Sequence, residues 1–146
     1  MEKIKLGVIG VGGRAFGIIK SFLSKYDDIE LCMLCDPYED KTENVANYIK
    51  ETCGITPVRF TDYHEALNKN IVDAVYVASS WESHIEISIA AMKAGIPVGC
   101  EVGRAYTVEE CYDLVKTYEE TKTPFMLMEN CCFGREELLA TAAVRS

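Results

Sequence analysis

The chain has 146 residues, about one ordinary domain and enough to bury a real core. Its 15 Lys and Arg against 23 Asp and Glu give a net charge of −8 with no basic stripe, so electrostatics argue against nucleic-acid or anionic-membrane partners. The apolar runs are too short to span a bilayer, and the N-terminus lacks the pattern of a signal peptide, so a cytoplasmic protein is expected.

Strand and helix signals alternate along the chain. Ile4–Ile9 is a β-branched apolar run followed by a glycine cluster. Ala15–Tyr26 carries Phe16, Ile19, Phe22 and Leu23 at helical spacing. Ile29–Cys35 predicts a second strand, ending in Asp36-Pro37. Glu39–Thr52 predicts a helix with Val45, Ala46 and Ile49 on one face and Gly54 as its stop. Val58–Thr61 reads as a short strand, and Asp62 caps a short helix through Leu67. Asp73–Ala78 is solidly apolar, as expected of a strand covered by helices on both faces. Glu82–Ala94 predicts a helix closed by Gly95 and Pro97, and Val98–Cys100 a fifth strand. Thr107 with Glu110 forms a capping box that opens a helix to about Thr121. Phe125–Met128 reads as the sixth strand and Glu136–Val144 as a further helix.

Strands separated by helices imply right-handed crossovers and an α/β, doubly wound parallel sheet. With no linker, repeat or low-complexity tract, one domain over residues 1–146 is expected. The last helix reaches Ser146 without a capping or breaking residue, the pattern of a fragment or truncated product.

Seven cysteines without a secretory signal argue for buried thiols rather than a disulfide framework. Cys32 and Cys35 have CxxC spacing but fall within a strand, where residues three apart point to opposite faces. Cys131-Cys132 is an equally poor metal pair, and no metal site is expected.

The segment Gly10-Val11-Gly12-Gly13-Arg14-Ala15 fits G-x-G-x-x-A between a strand and an amphipathic helix. Gly10 permits the tight turn. Gly12 and Gly13 let backbone amides approach a pyrophosphate at the helix N-terminus, and Ala15 allows close packing of helix on strand. Arg14 at that terminus offers a charge-assisted phosphate contact. Asp36 lies 24 residues after Gly12, near the interval at which a carboxylate meets the adenosine ribose hydroxyls and repels a 2′-phosphate. The cofactor expected is therefore NAD. A tight turn without ligand, and an Asp-Pro turn at Asp36, are the bland alternatives.

From Lys3 to Arg135 the chain resembles the Gfo/Idh/MocA oxidoreductases. The resemblance lies in the glycine loop, Asp36, Ala78-Ser79-Ser80-Trp81-Glu82-Ser83-His84, and Ala91-Met92-Lys93-Ala94-Gly95-Ile96-Pro97-Val98. It implies a Rossmann domain in which Ser79, Trp81 and His84 line the nicotinamide side of the cofactor groove. A helix-capping His84 and a core Trp81 are the alternatives, while His64 reads as a solvated surface residue. The family carries Glu-Lys-Pro after the fifth strand, where the lysine assists proton transfer. Here Glu101 matches, but Val102 stands at the lysine position and can move no proton.

That departure resembles the branch of NAD-dependent glycosidases of the α-N-acetylgalactosaminidase type, which carries Glu-Val-Pro there. Trp81-Glu82-Ser83-His84 and Glu129-Asn130-Cys131-Cys132-Phe133-Gly134-Arg135 resemble the same branch, with Asn130 at the cofactor and Phe133 replacing a tyrosine. The family also has a second, mostly antiparallel domain that supplies substrate contacts, and this chain stops before it. The expected function is the NAD-binding domain of an oxidoreductase acting on a sugar or polyol. The alternatives are a protein of the NAD-dependent glycosidase branch, and a non-catalytic or truncated dinucleotide-binding domain. An apolar sheet edge or face left uncovered predicts a homo-oligomer.

Overall fold

A computed structural model of the chain describes residues 3–103, 105–131 and 134–145. Six strands, β1 (Ile4–Ile9), β2 (Ile29–Cys35), β3 (Val58–Phe60), β4 (Ala74–Val77), β5 (Val98–Cys100) and β6 (Phe125–Leu127), form one sheet. Every recorded pairing is parallel and the order is β3-β2-β1-β4-β5-β6. The chain winds outward from β1 to β3, then returns to β4 beside β1 and winds the other way. The reversal opens a crevice at the carboxyl ends of β1 and β4, where ligands of such sheets bind.

Helices α1 (Gly13–Ser21), α2 (Glu39–Cys53), α3 (Tyr63–Asn68), α4 (His84–Lys93), α5 (Val108–Thr121) and α6 (Arg135–Arg145) complete the order. The strands bury both faces, and successive residues feed two core layers. Val8, Leu34 and Tyr76 meet Ala15, Ile19 and Ile49 from α1 and α2. Ile9, Met33, Val75 and Val77 meet Ala66, Ala91 and Met92 from α3 and α4. The expected capping box at Thr107 is present, with Glu110 N donating to Thr107 Oγ1 at 3.1 Å. Asp62 caps α3 by accepting from the amides of His64 and Glu65. Gly54 ends α2 in the left-handed region.

Three local expectations are corrected. The helix read over Ala15–Tyr26 stops at Ser21, where Phe22 leaves helical angles, and a 3-10 turn over Leu23–Lys25 follows. The tighter turn lays Leu23 on the core layer and leaves Phe22 exposed. The helix read from Glu82 begins as a 3-10 turn over Trp81–Ser83, with α4 starting at His84. There the Ser83 hydroxyl donates to the Ser80 carbonyl at 3.0 Å, a local bond that competes with α-helical pairing.

The third correction concerns the CxxC pair. Between Leu6 and Gly7 the register of β1 on β2 skips one residue, so Leu6 faces Leu31 and Gly7 faces Met33. The bulge leaves Cys32 unpaired and resets the alternation, placing Cys32 and Cys35 against the same core layer. They are nonetheless free thiols: Cys32 donates to the carbonyls of Leu6 and Ile71, and burial pushes the Cys35 thiol up to about 12. Among the described residues no cluster of His, Cys, Asp or Glu could hold a metal, and no helix is long and apolar enough to cross a membrane.

Candidate dinucleotide site

The glycine loop leaves β1 at the switch point. Gly10 has φ +84° and donates its amide to the Cys35 carbonyl at 2.8 Å, tying the loop to the end of β2. Gly12 caps α1, and a Cβ at Gly12 or Gly13 would meet nothing within 4 Å. Both positions therefore leave the first-turn amides of α1 open to an anion, with the helix dipole favouring negative charge.

Asp36 is buried at the end of β2. Its Oδ2 accepts from Val11 N at 3.0 Å and its Oδ1 from Tyr38 N at 3.1 Å. The carboxylate thus fastens the glycine loop to the start of the next helix. Each oxygen keeps a lone pair for a further donor, such as a ribose hydroxyl. Beside it lies a cleft of about 400 Å³ lined by Gly10, Gly12, Asp36, Tyr38, Thr61 and Ser79. At its edge the Lys41 ammonium sits 4.3 Å from the centre of the Tyr38 ring.

Across the switch point is a second cleft of about 250 Å³. It is lined by Arg14, Ser79, Trp81, His84, Glu101 and Val102. Glu101, buried at the end of β5, is its electrostatic centre. Its Oε1 accepts from Tyr76 Oη at 2.8 Å and from Arg14 Nε at 3.0 Å. Burial and this carboxylate together hold the Tyr76 phenol above its ordinary range, and the same carboxylate raises the Arg14 guanidinium. Arg14 Nη2 also donates to Asn130 Oδ1 at 3.5 Å.

His84 opens α4 and is buried. Its Nε2 lies 3.0 Å from the Ser79 carbonyl. A carbonyl only accepts, so Nε2 is the donor of this contact. Nδ1 is buried without a hydrogen-bond partner among the described residues, and a Cβ on Gly103 would stand 2.2 Å from it. The Ser79, Ser80 and Ser83 hydroxyls form a chain that borders the first cleft, at 2.9 Å from Ser83 to Ser79 and 3.2 Å from Ser83 to Ser80.

The ten residues read as cofactor-binding thus gather on one end of the sheet. Gly10, Gly12, Gly13 and Asp36 border the first cleft or its loop, Ser79 borders both, and Arg14, Trp81, His84 and Glu101 border the second. Asn130 joins through Arg14. His64 is exposed on α3, as expected. Cys132 and Phe133 lie outside the described residues. Sequence reasoning missed Tyr76, whose one signal was a phenol within an apolar strand that must find a buried partner. It also missed Gly103, which had no local signal.

An open amide cradle, a buried carboxylate with spare lone pairs, and a cleft on each side of the switch point fit a dinucleotide. A family model described as an oxidoreductase family with an NAD-binding Rossmann fold, Gfo/Idh/MocA, matches residues 4–129. The chain belongs to the Gfo/Idh/MocA family. It is an NAD-binding Rossmann domain of that family. Chains of known structure share its fold. The apo scyllo-inositol dehydrogenase of Lactobacillus casei superposes with a TM-score of 0.84 at 19% identity, over 99% of this chain and 41% of that one. The WlbA dehydrogenase of Bordetella pertussis, in complex with NADH and UDP-GlcNAcA, gives 0.82 at 20% identity, over 99% and 42%. Among curated proteins, the glycosyl hydrolase family 109 protein 1 of Shewanella sp. (strain ANA-3) is 36% identical over 99% of this chain and 32% of its own length. An alpha-N-acetylgalactosaminidase of Shewanella oneidensis is 34% identical with the same coverage. The chain therefore spans about a third of the curated relatives it matches. Within Gfo/Idh/MocA, the resemblance to the glycosidase branch is borne out by these relatives.

Proposed function

We propose that this chain is the cofactor domain of an enzyme that moves hydride between NAD and a carbon of a sugar or polyol. The observation that carries this reading is the pair of clefts on either side of the glycine loop, one with Asp36 and one with Glu101 and His84. NAD, when bound, would supply the hydride acceptor for oxidation at the carbon bearing the substrate hydroxyl. The chain's own residues bind and orient. The α1 amides at Gly12 and Gly13 hold the phosphates, and Asp36 takes the adenosine ribose hydroxyls. Ser79, Trp81, His84 and Glu101 wall the nicotinamide half. Val102 transfers no proton, and Glu101 is held as an ion pair by Arg14, so neither side chain is a free base.

Two chemistries begin with that same hydride step: net dehydrogenation, and transient oxidation followed by loss of the glycosidic bond. The 34–36% identity to glycosyl hydrolase family 109 proteins favours keeping the second beside the first. Titration calorimetry with NAD tests the cofactor reading, and absence of binding defeats it. With the full-length gene product, nitrophenol release from an aryl α-N-acetylgalactosaminide supports the glycosidase reading. NADH formed with a free polyol supports dehydrogenation, and neither signal supports a non-catalytic dinucleotide-binding domain.

Cytoplasmic location and self-association complete the reading. Tyr112 and Val115 of α5 are 72% and 56% exposed, and α6 buries no residue, so apolar surface is left for a second copy to cover. A sedimentation mass equal to one chain, unaltered by Val115→Glu, counts against a homo-oligomer.

A further inference from the structure

We propose that Arg14 serves the second cleft rather than the phosphates: with Tyr76 it clamps one oxygen of Glu101 and presents the other as a fixed acceptor to the nicotinamide half of the dinucleotide. The inference rests on the placement of NAD across the switch point proposed above.

A carboxylate as buried as Glu101 is costly unless it is paired and hydrogen-bonded. Tyr76 Oη and Arg14 Nε supply both needs, and both act on Oε1. Among the described residues Oε2 accepts from none. Two donors from different elements, β4 and the first turn of α1, leave the carboxylate little freedom to rotate. Oε2 is then an acceptor of fixed position in a cleft that His84 also lines. Such a site takes a ligand group that donates, an amide N–H or a hydroxyl. The nicotinamide half carries both, on its carboxamide and on its ribose.

The same contacts argue against Arg14 as a phosphate ligand. A guanidinium recognises phosphate best through two parallel donors. Here Nε is occupied by Glu101 and Nη2 by Asn130. The phosphates are already provided for by the amides at the start of α1.

The test uses three ligands that share the adenosine and two phosphates: NADH, ADP-ribose and ADP. NADH is chosen because its reduced ring is neutral, so a changed charge on Glu101 does not enter directly. Arg14→Gln, Tyr76→Phe and Glu101→Gln are each titrated with all three. Glu101→Gln is informative because the donors from Tyr76 and Arg14 hold the amide oxygen on their side and turn its NH2 toward the ligand. Each variant is expected to weaken NADH about tenfold, the scale of one charged hydrogen bond. ADP affinity is expected to stay within about twofold, which also reports that the variant is folded. Unchanged ADP-ribose assigns the donor to the carboxamide, and weakened ADP-ribose assigns it to the ribose. Either supports the proposal. Arg14→Gln added to Glu101→Gln is expected to cost nothing further. Equal weakening of ADP and NADH by Arg14→Gln overturns the proposal in favour of a phosphate contact. Unchanged NADH affinity in all three variants overturns it as well. A wild-type chain that binds none of the ligands fails at the cofactor reading itself, a different result from either.

Discussion

Gly10 lies so close to Ser79 that a Cβ on it would stand 2.4 Å from the Ser79 Cα, with φ at +84°. The contact is backbone against backbone, between the glycine loop and the end of β4, so no side chain can move aside. Gly10→Ala is therefore expected to combine left-handed strain with a steric shift, a loss of about 3 kcal/mol. Urea denaturation measures it. A loss below about 1 kcal/mol would mean that the loop relaxes away from Ser79 freely.

Asp36 accepts backbone amides on both of its oxygens. In Asp36→Asn one of those amides must face an NH2 group. The variant is expected to lose about tenfold or more in NAD affinity through a loosened loop. It also removes a negative charge from the cleft, while the Lys41 ammonium remains at its edge. The ratio of NADP to NAD affinity should rise, and an unchanged ratio would show that Asp36 does not set the preference.

Burial raises the Cys35 thiol from 9.0 to about 12. The neutral thiol is the form the fold favours. This group's contribution is therefore fully present below the unfolded value and is lost as pH rises through the folded one. Stability to urea is expected to fall between pH 9 and pH 12, and Cys35→Ala should flatten that fall. In the folded chain at neutral pH, iodoacetamide should label Cys35 far more slowly than the exposed Cys111.

The capping box at α5 satisfies donors that the helix cannot. Thr107→Ala is expected to cost about 1 kcal/mol, because the Glu110 amide loses its partner while the core stays unchanged. Unfolding midpoints with an unaltered denaturant slope would confirm a local cause. NAD affinity should not move.

Much of this molecule was legible in order along the chain. The alternation of apolar runs and helical periods specified the order of strands and helices, because each depends on residues a few positions apart. The glycine loop was legible for the same reason, since Gly10, Gly12 and Gly13 answer to the local path of the backbone. Asp36 was legible through its interval from the loop, which one βαβ unit fixes. Boundaries were less so: nothing local to Phe22 says that a helix should end there, and the stop depends on where Leu23 finds the core.

The second cleft was decided by tertiary structure. The sequence placed Arg14 at a helix start and read it toward phosphate. Folding instead brings Glu101, 87 positions later, within 3.0 Å of its Nε. Tyr76 read as an apolar strand residue until β4 and β5 paired and its hydroxyl met the same carboxylate oxygen. The bulge that turns Cys32 toward the layer of Cys35 likewise arises from pairing between strands. The physical reason is common to these cases. Hydrogen-bond and ion-pair partners satisfy buried groups in space, and the glycine loop's turn is the part of the site that a local stretch of chain can build by itself.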